Sequence, residues 1–273
     1  EAINKKAGRK LLPSIGVGLS LIGLVGFTLS YQRALFAIVV AIAVILGARE
    51  LVRAFAARSI VVSFNGLIVA SIGLSYAAWV GGVAGLAIAT AIAIPLLLIR
   101  ALLQGPEGFV AKATATTFSL LYLPFLAGFL ILLARPSTGF QRVMTFMVLV
   151  GCNDTFGYIV GVLLGKHPLV PKISPKKTWE GLVGSLLFTM IGGALAFEYI
   201  MDMHWWIGLI VGLMIVFTAT CGDLIESAMK RDLSLKDMGT LLPGHGGMLD
   251  RLDSVVLSAP AMWLALELVK RFL

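Results

Sequence analysis

Residues 60–99 read IVVSFNGLIVASIGLSYAAWVGGVAGLAIATAIAIPLLLI and contain no charged side chain. A run of 40 residues is about twice what one helix needs to cross the ~30 Å hydrocarbon core of a bilayer at 1.5 Å per residue. Its only break is Val80–Gly82, too short for a loop of any size. The stretch therefore predicts two helices, 60–79 and 82–99, closed into a hairpin.

The rest of the chain repeats the pattern. Of 273 residues, 59% are hydrophobic and 13% charged, with a mean hydropathy of +0.97. That leaves too little polar surface to cover a globule in water, so the fold class is an all-α polytopic integral membrane protein. Nine spans are expected, at 12–30, 34–49, 60–79, 82–99, 116–134, 143–163, 181–200, 205–225 and 254–270. The basic stretch Glu1–Lys10 precedes an apolar run that is long for a signal-peptide core and lacks a small-residue cleavage site. That run is expected to stay as the first span.

Charge placement orients the spans. With the N-terminus in the cytoplasm, 17 of the 22 Lys and Arg residues fall on inside loops, leaving Arg33, Arg135, Arg142, Lys270 and Arg271 outside. This satisfies the positive-inside rule. Trp205, Trp206, Tyr31 and Tyr199 fit an outer aromatic belt. The net charge of +8 then reflects anionic lipid headgroups rather than nucleic acid. Cys152 and Cys221 lie in apolar stretches and read as small buried hydrophobes. Only Glu1, Glu50 and Glu107 precede residue 150, whereas ten acids lie between Asp154 and Asp253. Residues 1–140 are thus expected to be transmembrane scaffold, and 141–273 the catalytic region.

Three polar elements in that region carry chemistry. Asn153-Asp154 sits inside a span, where a carboxylate is costly unless paired, hydrated or metal-bound; Gly157, Gly161 and Gly165 below it give a smooth face for helix contact. The stiff loop Gly165–Gly181 holds four lysines and three prolines. Its Ser174-Pro175-Lys176-Lys177-Thr178 cluster, with Lys172, interleaves hydroxyls and ammonium groups that suit phosphate oxygens.

The third element is Ser227–Asp253, SAMKRDLSLKDMGTLLPGHGGMLDRLD, preceded by Asp223. Asp223, Glu226, Ser227 and Lys230 share a helix face. Asp250 and Asp253 form an i, i+3 pair at a helix start, where the helix dipole favours carboxylates and both can address one cation. Mg²⁺ takes a few carboxylates together with water and phosphate oxygens. The turn Pro243-Gly244-His245-Gly246-Gly247 offers backbone N–H groups to phosphates. There is no Walker GxxxxGK[ST] sequence and no zinc-ligand spacing; His167 and His204 carry no such pattern.

The blocks Ser227-x-Met229-Lys230-Arg231, Lys236-Asp237-x-Gly239 and Leu242-Pro243-x-His245-Gly246-Gly247-Met248-x-Asp250-Arg251-Leu252-Asp253 resemble the signature of the phosphatidate cytidylyltransferases (CDP-diacylglycerol synthases). Gly222-Asp223-Leu224-x-Glu226-Ser227, Ser174-Pro175-x-Lys177-Thr178-x-Glu180-Gly181 and Asp154-Thr155-x-x-Tyr158 resemble the family's other blocks, with Gly157 in place of an expected Ala. The resemblance covers roughly residues 150–260. It implies transfer of a cytidylyl group from CTP to phosphatidate, releasing pyrophosphate, with Mg²⁺ required; whether a monovalent cation joins it is left open.

On that reading Asp223, Asp250 and Asp253 hold the metal, assisted by Asp154. Lys230, Arg231, Lys236 and Arg251, with His245, bind the triphosphate. Lys172, Ser174, Lys176 and Lys177 hold the phosphatidate headgroup, and Thr178, Ser227, Gly246 and Gly247 are further substrate-binding residues. A homodimer in a bacterial inner membrane, with the active site facing the cytoplasm, is the corresponding expectation. The Asp-Gly-x-x-Ala-Arg block of CDP-alcohol phosphotransferases and the Asp-rich motifs of prenyltransferases are absent. The uneven acids argue against the equivalent halves of a transporter.

Overall fold

The computed structural model describes residues 11–239 and 247–272. In chain order the helices are α1 (Leu11–Tyr31), α2 (Arg33–Ala56), α3 (Phe64–Leu102), α4 (Phe109–Leu120), α5 (Leu126–Ala134), α6 (Gly139–Leu164), α7 (Trp179–Tyr199), α8 (Trp205–Asp232) and α9 (Leu249–Phe272). A π-helical turn at Leu121–Phe125 joins α4 and α5, and Pro124 inside it withholds an N–H from the helical ladder. Among the described residues, seven helices are long and apolar enough to cross a membrane, with α4–α5 acting as one. The protein is an all-α polytopic membrane protein.

The 39-residue run α3 is two helices rather than one. At Gly82 the backbone turns to φ 63°, ψ −147°, a conformation that favours glycine. Arg100 Nε donates to Ser63 Oγ, although a straight helix would separate residues 37 apart by about 55 Å. The expected hairpin is therefore formed, and its limbs pack closely enough that a Cβ on Gly66 would lie 2.7 Å from Leu97 Cδ2. Arg135 seals the bend by donating to Trp79 O at 2.8 Å and Val80 O at 2.9 Å.

The two ends of the bundle sort as the charge pattern predicts. Arg33 reaches Arg135 O (3.2 Å) beside the α3 bend, and Arg142 approaches Glu267 at 3.8 Å. At the opposite end Arg58 donates to Asp232 O (2.6 Å) and Ser234 Oγ (2.7 Å), and Arg231 Nε to Ile173 O (3.2 Å).

Two boundary shifts matter for the site. The eighth predicted helix stops at 225 but α8 runs on to Asp232, and the last begins at Leu249 rather than 254. The polar residues flanking the spans are thus carried on rigid helical turns. The Gly165–Gly181 segment, expected to be a stiff loop, contains a β-hairpin. In it β1 (Pro168–Val170) pairs antiparallel with β2 (Ser174–Thr178), with Pro168 opposite Thr178 and Val170 opposite Ser174.

Small residues set the helix spacings. Gly157, Gly161 and Gly165 of α6 and its C-terminus lie against Gly181, Ser185 and Thr178, which confirms the expected contact face. Cys152 and Cys221 are free thiols, partly rather than fully buried. One apolar core runs through both halves of the chain, with Phe36, Leu51, Leu123 and Leu133 joined by Phe146, Phe197, Val256 and Met262. Trp263 of α9 packs edge-on to Phe129 of α5, ring centroids 5.5 Å apart.

Candidate active site

The site forms where α8 and α9 touch. Gly222 allows this, since a Cβ there would overlap the Asp253 carbonyl. The next residue on α8, Asp223, consequently lies beside the Asp253 side chain, and Ser254 Oγ sits between them, 3.4 Å from Asp253 Oδ1. Asp253 is 5% exposed. Its Oδ1 accepts from Ser254 N at 2.7 Å, while Ser254 Oγ donates to Asp223 Oδ1 at 3.3 Å. The other oxygen of Asp223 pairs with Lys177 Nζ from β2. Two carboxylates so close repel unless a cation or proton lies between them.

Asp250 lies apart from this pair. Its Oδ1 takes Lys230 Nζ at 2.9 Å and its Oδ2 accepts from Gly247 N at 2.7 Å. Lys230 also pairs with Glu226, which is 2% exposed. The geometry explains the split. Asp223 and Lys230 are seven residues, about 10.5 Å, apart along α8, so Asp253 and Asp250 address different turns of that helix. The carboxylates fall into two groups, an Asp223–Asp253 pair and a Glu226–Lys230–Asp250 cluster. Among the described residues no three His, Cys, Asp or Glu side chains gather as a metal-ligand group.

Asp154 accepts from Asn153 Nδ2 at 2.9 Å and lies within electrostatic range of Asp223, Lys177 and Arg251. Asn153 is anchored by Ser185 Oγ, which donates to its carbonyl at 2.7 Å. Among the described residues the buried Asn153 Oδ1 and Glu226 Oε1 have no hydrogen-bond partner, and both oxygens lie at the carboxylate groups.

Alternation along β2 separates its lysines. Lys177 turns inward to Asp223, whereas Lys176 is exposed, as is Lys172 between the strands. Ser174 is half-buried at the start of β2. Thr178, expected to bind substrate, is also the N-cap of α7, its hydroxyl accepting from Gly181 N at 3.1 Å. Capping uses the hydroxyl as an acceptor and leaves its O–H able to donate. His167 holds the hairpin to α7, with Nδ1 2.6 Å from Glu180 Oε1.

Lys230, Arg231, Ser234, Leu235 and Lys236 line an open cleft of about 320 Å³ beside the Glu226–Lys230–Asp250 cluster. Arg231 and Lys236 are exposed there, while Ser227 and Arg251 are half-buried. His245 and Gly246 lie outside the described residues. Gly247 is buried and its N–H is already given to Asp250, so that group is not free for phosphate. Glu226 and Glu50 were not among the expected site residues. Glu50, from the N-terminal half, accepts from Met248 N at 3.0 Å and Leu249 N at 2.9 Å. The signal was available, since Glu50 is a lone acid in an apolar helix, and such residues seldom lack a role.

The phosphatidate cytidylyltransferase of Mycobacterium leprae is 37% identical over 280 residues, covering 97% of this chain and 90% of that protein. Its counterpart in Mycobacterium bovis is 36% identical over 278 residues, with 97% and 90% covered. The Staphylococcus aureus phosphatidate cytidylyltransferase is 41% identical over 137 residues, half of this chain and 52% of that protein. The sequence profile of the cytidylyltransferase family matches residues 14–269, and the chain belongs to that family.

Proposed function

We infer that this chain transfers the cytidylyl group of CTP to phosphatidate, giving CDP-diacylglycerol and pyrophosphate. The observation that carries this reading is the buried Asp223–Asp253 pair, bordered by Lys177, with the cationic cleft of Lys230, Arg231 and Lys236 two turns further along α8. It lies in a chain similar over almost its whole length to phosphatidate cytidylyltransferases. A phosphate oxygen of phosphatidate attacks the α-phosphorus of CTP. The new P–O bond forms as the bond to the bridging oxygen breaks, and the electron pair leaves on pyrophosphate. No general base is required, because a phosphate monoester with a second pKa of about 6 is mostly dianionic at pH 7.

Positioning and charge stabilisation therefore carry the rate. Arg231 and Lys236, on the open cleft, bind the triphosphate together with His245, and Lys172 and Lys176 on the hairpin meet the lipid headgroup. Lys177 bridges the two groups, holding Asp223 from the headgroup side. Lys230 keeps Asp250 in place between Glu226 and the start of α9.

Asp223 and Asp253 fit a divalent cation. Mg²⁺ is usually held by one or two carboxylates with water and phosphate completing the shell, and these two already converge. When bound, Mg²⁺ would neutralise charge on the pyrophosphate leaving group. The active site is taken to face the cytoplasm of a bacterial inner membrane, in a homodimer; the distribution of Lys and Arg supports that orientation.

Purified protein incubated with α-labelled CTP and phosphatidate is expected to form a lipid-linked cytidine product that disappears with chelator and returns with Mg²⁺. Absence of the product under all conditions would overturn the activity. Product formation unaffected by chelator, or by Asp223→Asn and Asp253→Asn, would overturn the metal assignment alone.

A further inference from the structure

Glu50 is buried at 5% exposure in α2, and among the described residues no Lys or Arg forms an ion pair with it. Its charge is met instead by the start of α9. Two N–H groups that have no partner within their own helix, those of Met248 and Leu249, point at its two oxygens at 3.0 and 2.9 Å. The positive end of the helix dipole adds to that attraction. A residue 198 positions away in sequence thus does what a local N-cap side chain ordinarily does.

Two glycines enclose the same carboxylate. A Cβ on Gly239 would lie 2.8 Å from Glu50 Cγ, and one on Gly247 would lie 2.8 Å from Glu50 Cδ, with closer approaches to the oxygens. Glu50 has no room to yield without giving up its two N–H bonds. Both glycines belong to the motif blocks, and Gly247 reads from sequence as a phosphate-binding position. Its missing side chain makes space for Glu50.

We propose that Glu50 is a positioning residue for cytidylyl transfer, clasping Gly239 and Gly247 and fixing the start of α9 so that Asp250 and Asp253 meet α8 in register. This role rests on the reading that the α9 carboxylates serve the reaction. Asp250 lies one residue beyond Leu249, and Asp253 one turn beyond Asp250, so a shift at the helix start is passed to both. A misplacement of about 1 Å at reacting groups costs roughly 100-fold in rate.

The test is a double-mutant cycle in the full-length membrane protein. Glu50→Ala is expected to lower kcat by about 100-fold while the KM values for CTP and phosphatidate change little. Gly247→Ala is expected to lower kcat on its own, because its methyl group displaces Glu50. The double variant should be no slower than Glu50→Ala, since the group that Gly247→Ala displaces is already gone. Losses that multiply, or a Glu50→Ala enzyme with near-normal kcat, would overturn the proposal.

Glu50→Gln keeps the side-chain volume if Glu50→Ala does not fold. It should speed hydrogen–deuterium exchange at the Met248 and Leu249 amides and lower kcat by a smaller factor, and unchanged exchange at those amides would also overturn the proposal. A fully active Asp253→Asn enzyme would instead remove the underlying reading, whatever Glu50 does.

Discussion

Replacing Lys230 by Met removes one ammonium group from between two carboxylates while nearly keeping its volume. The side chains of Lys230, Glu226 and Asp250 are 18%, 3% and 12% exposed, so the charges left behind are poorly hydrated. Breaking a buried pair by deleting one partner costs about 3–5 kcal/mol. The lower end applies because Asp250 keeps the Gly247 N–H bond. A loss of about 3 kcal/mol lowers the melting temperature of a chain this size by roughly 6–12 °C.

The assay is thermal unfolding of the purified variant in one detergent, followed by loss of monodispersity. Adding Glu226→Gln to Lys230→Met should recover part of the loss, because one of the two stranded charges is then gone. A Lys230→Met protein that melts within about 2 °C of wild type would refute the cluster as a stabilising element, as would a second substitution that destabilises further.

Thr178→Ala should cost about 1 kcal/mol through the lost α7 N-cap and leave the KM for phosphatidate unchanged; a selective rise in that KM, measured with vesicle substrate, would place Thr178 in the headgroup site. Lys177→Ala frees one oxygen of Asp223 and removes a cation from the approach to it. It should reduce kcat by at least about 10-fold and lower the Mg²⁺ concentration needed for half-maximal turnover, read from the Mg²⁺ dependence of turnover. Unchanged Mg²⁺ dependence would separate Lys177 from Asp223 in the mechanism.

Membrane class and the α3 hairpin were legible in residues 60–99 because a lipid environment imposes long uninterrupted apolar helices, and the break at Val80–Gly82 was visible as composition. The Gly157–Gly161–Gly165 face was legible for a similar local reason, glycines four apart on one helix. Most polar site residues were also legible, since Asp154, Lys177, Asp223, Lys230, Asp250 and Asp253 interrupt or border apolar segments at some energetic cost. Their partners were less so. Helical spacing placed Asp250 beside Asp253, yet each took a different turn of α8, because which groups meet across two helices depends on how the helices cross. Thr178 read as a hydroxyl among lysines, and only the hairpin shows that it also caps the start of α7.

From the sequence alone come the polytopic helical class, the sorting of charge between the two ends of the bundle, and the family's motif residues. All of these depend on local composition and on side chains acting within one helix or loop. Tertiary structure alone decided that Asp223 and Asp253 form one pair, that Lys230 reaches Asp250 as well as its helix neighbour Glu226, and that Glu50 from the N-terminal half holds the start of α9. Those contacts span 20 to 199 residues, and their geometry is set by where glycines such as Gly222 and Gly247 let backbones and buried side chains come together.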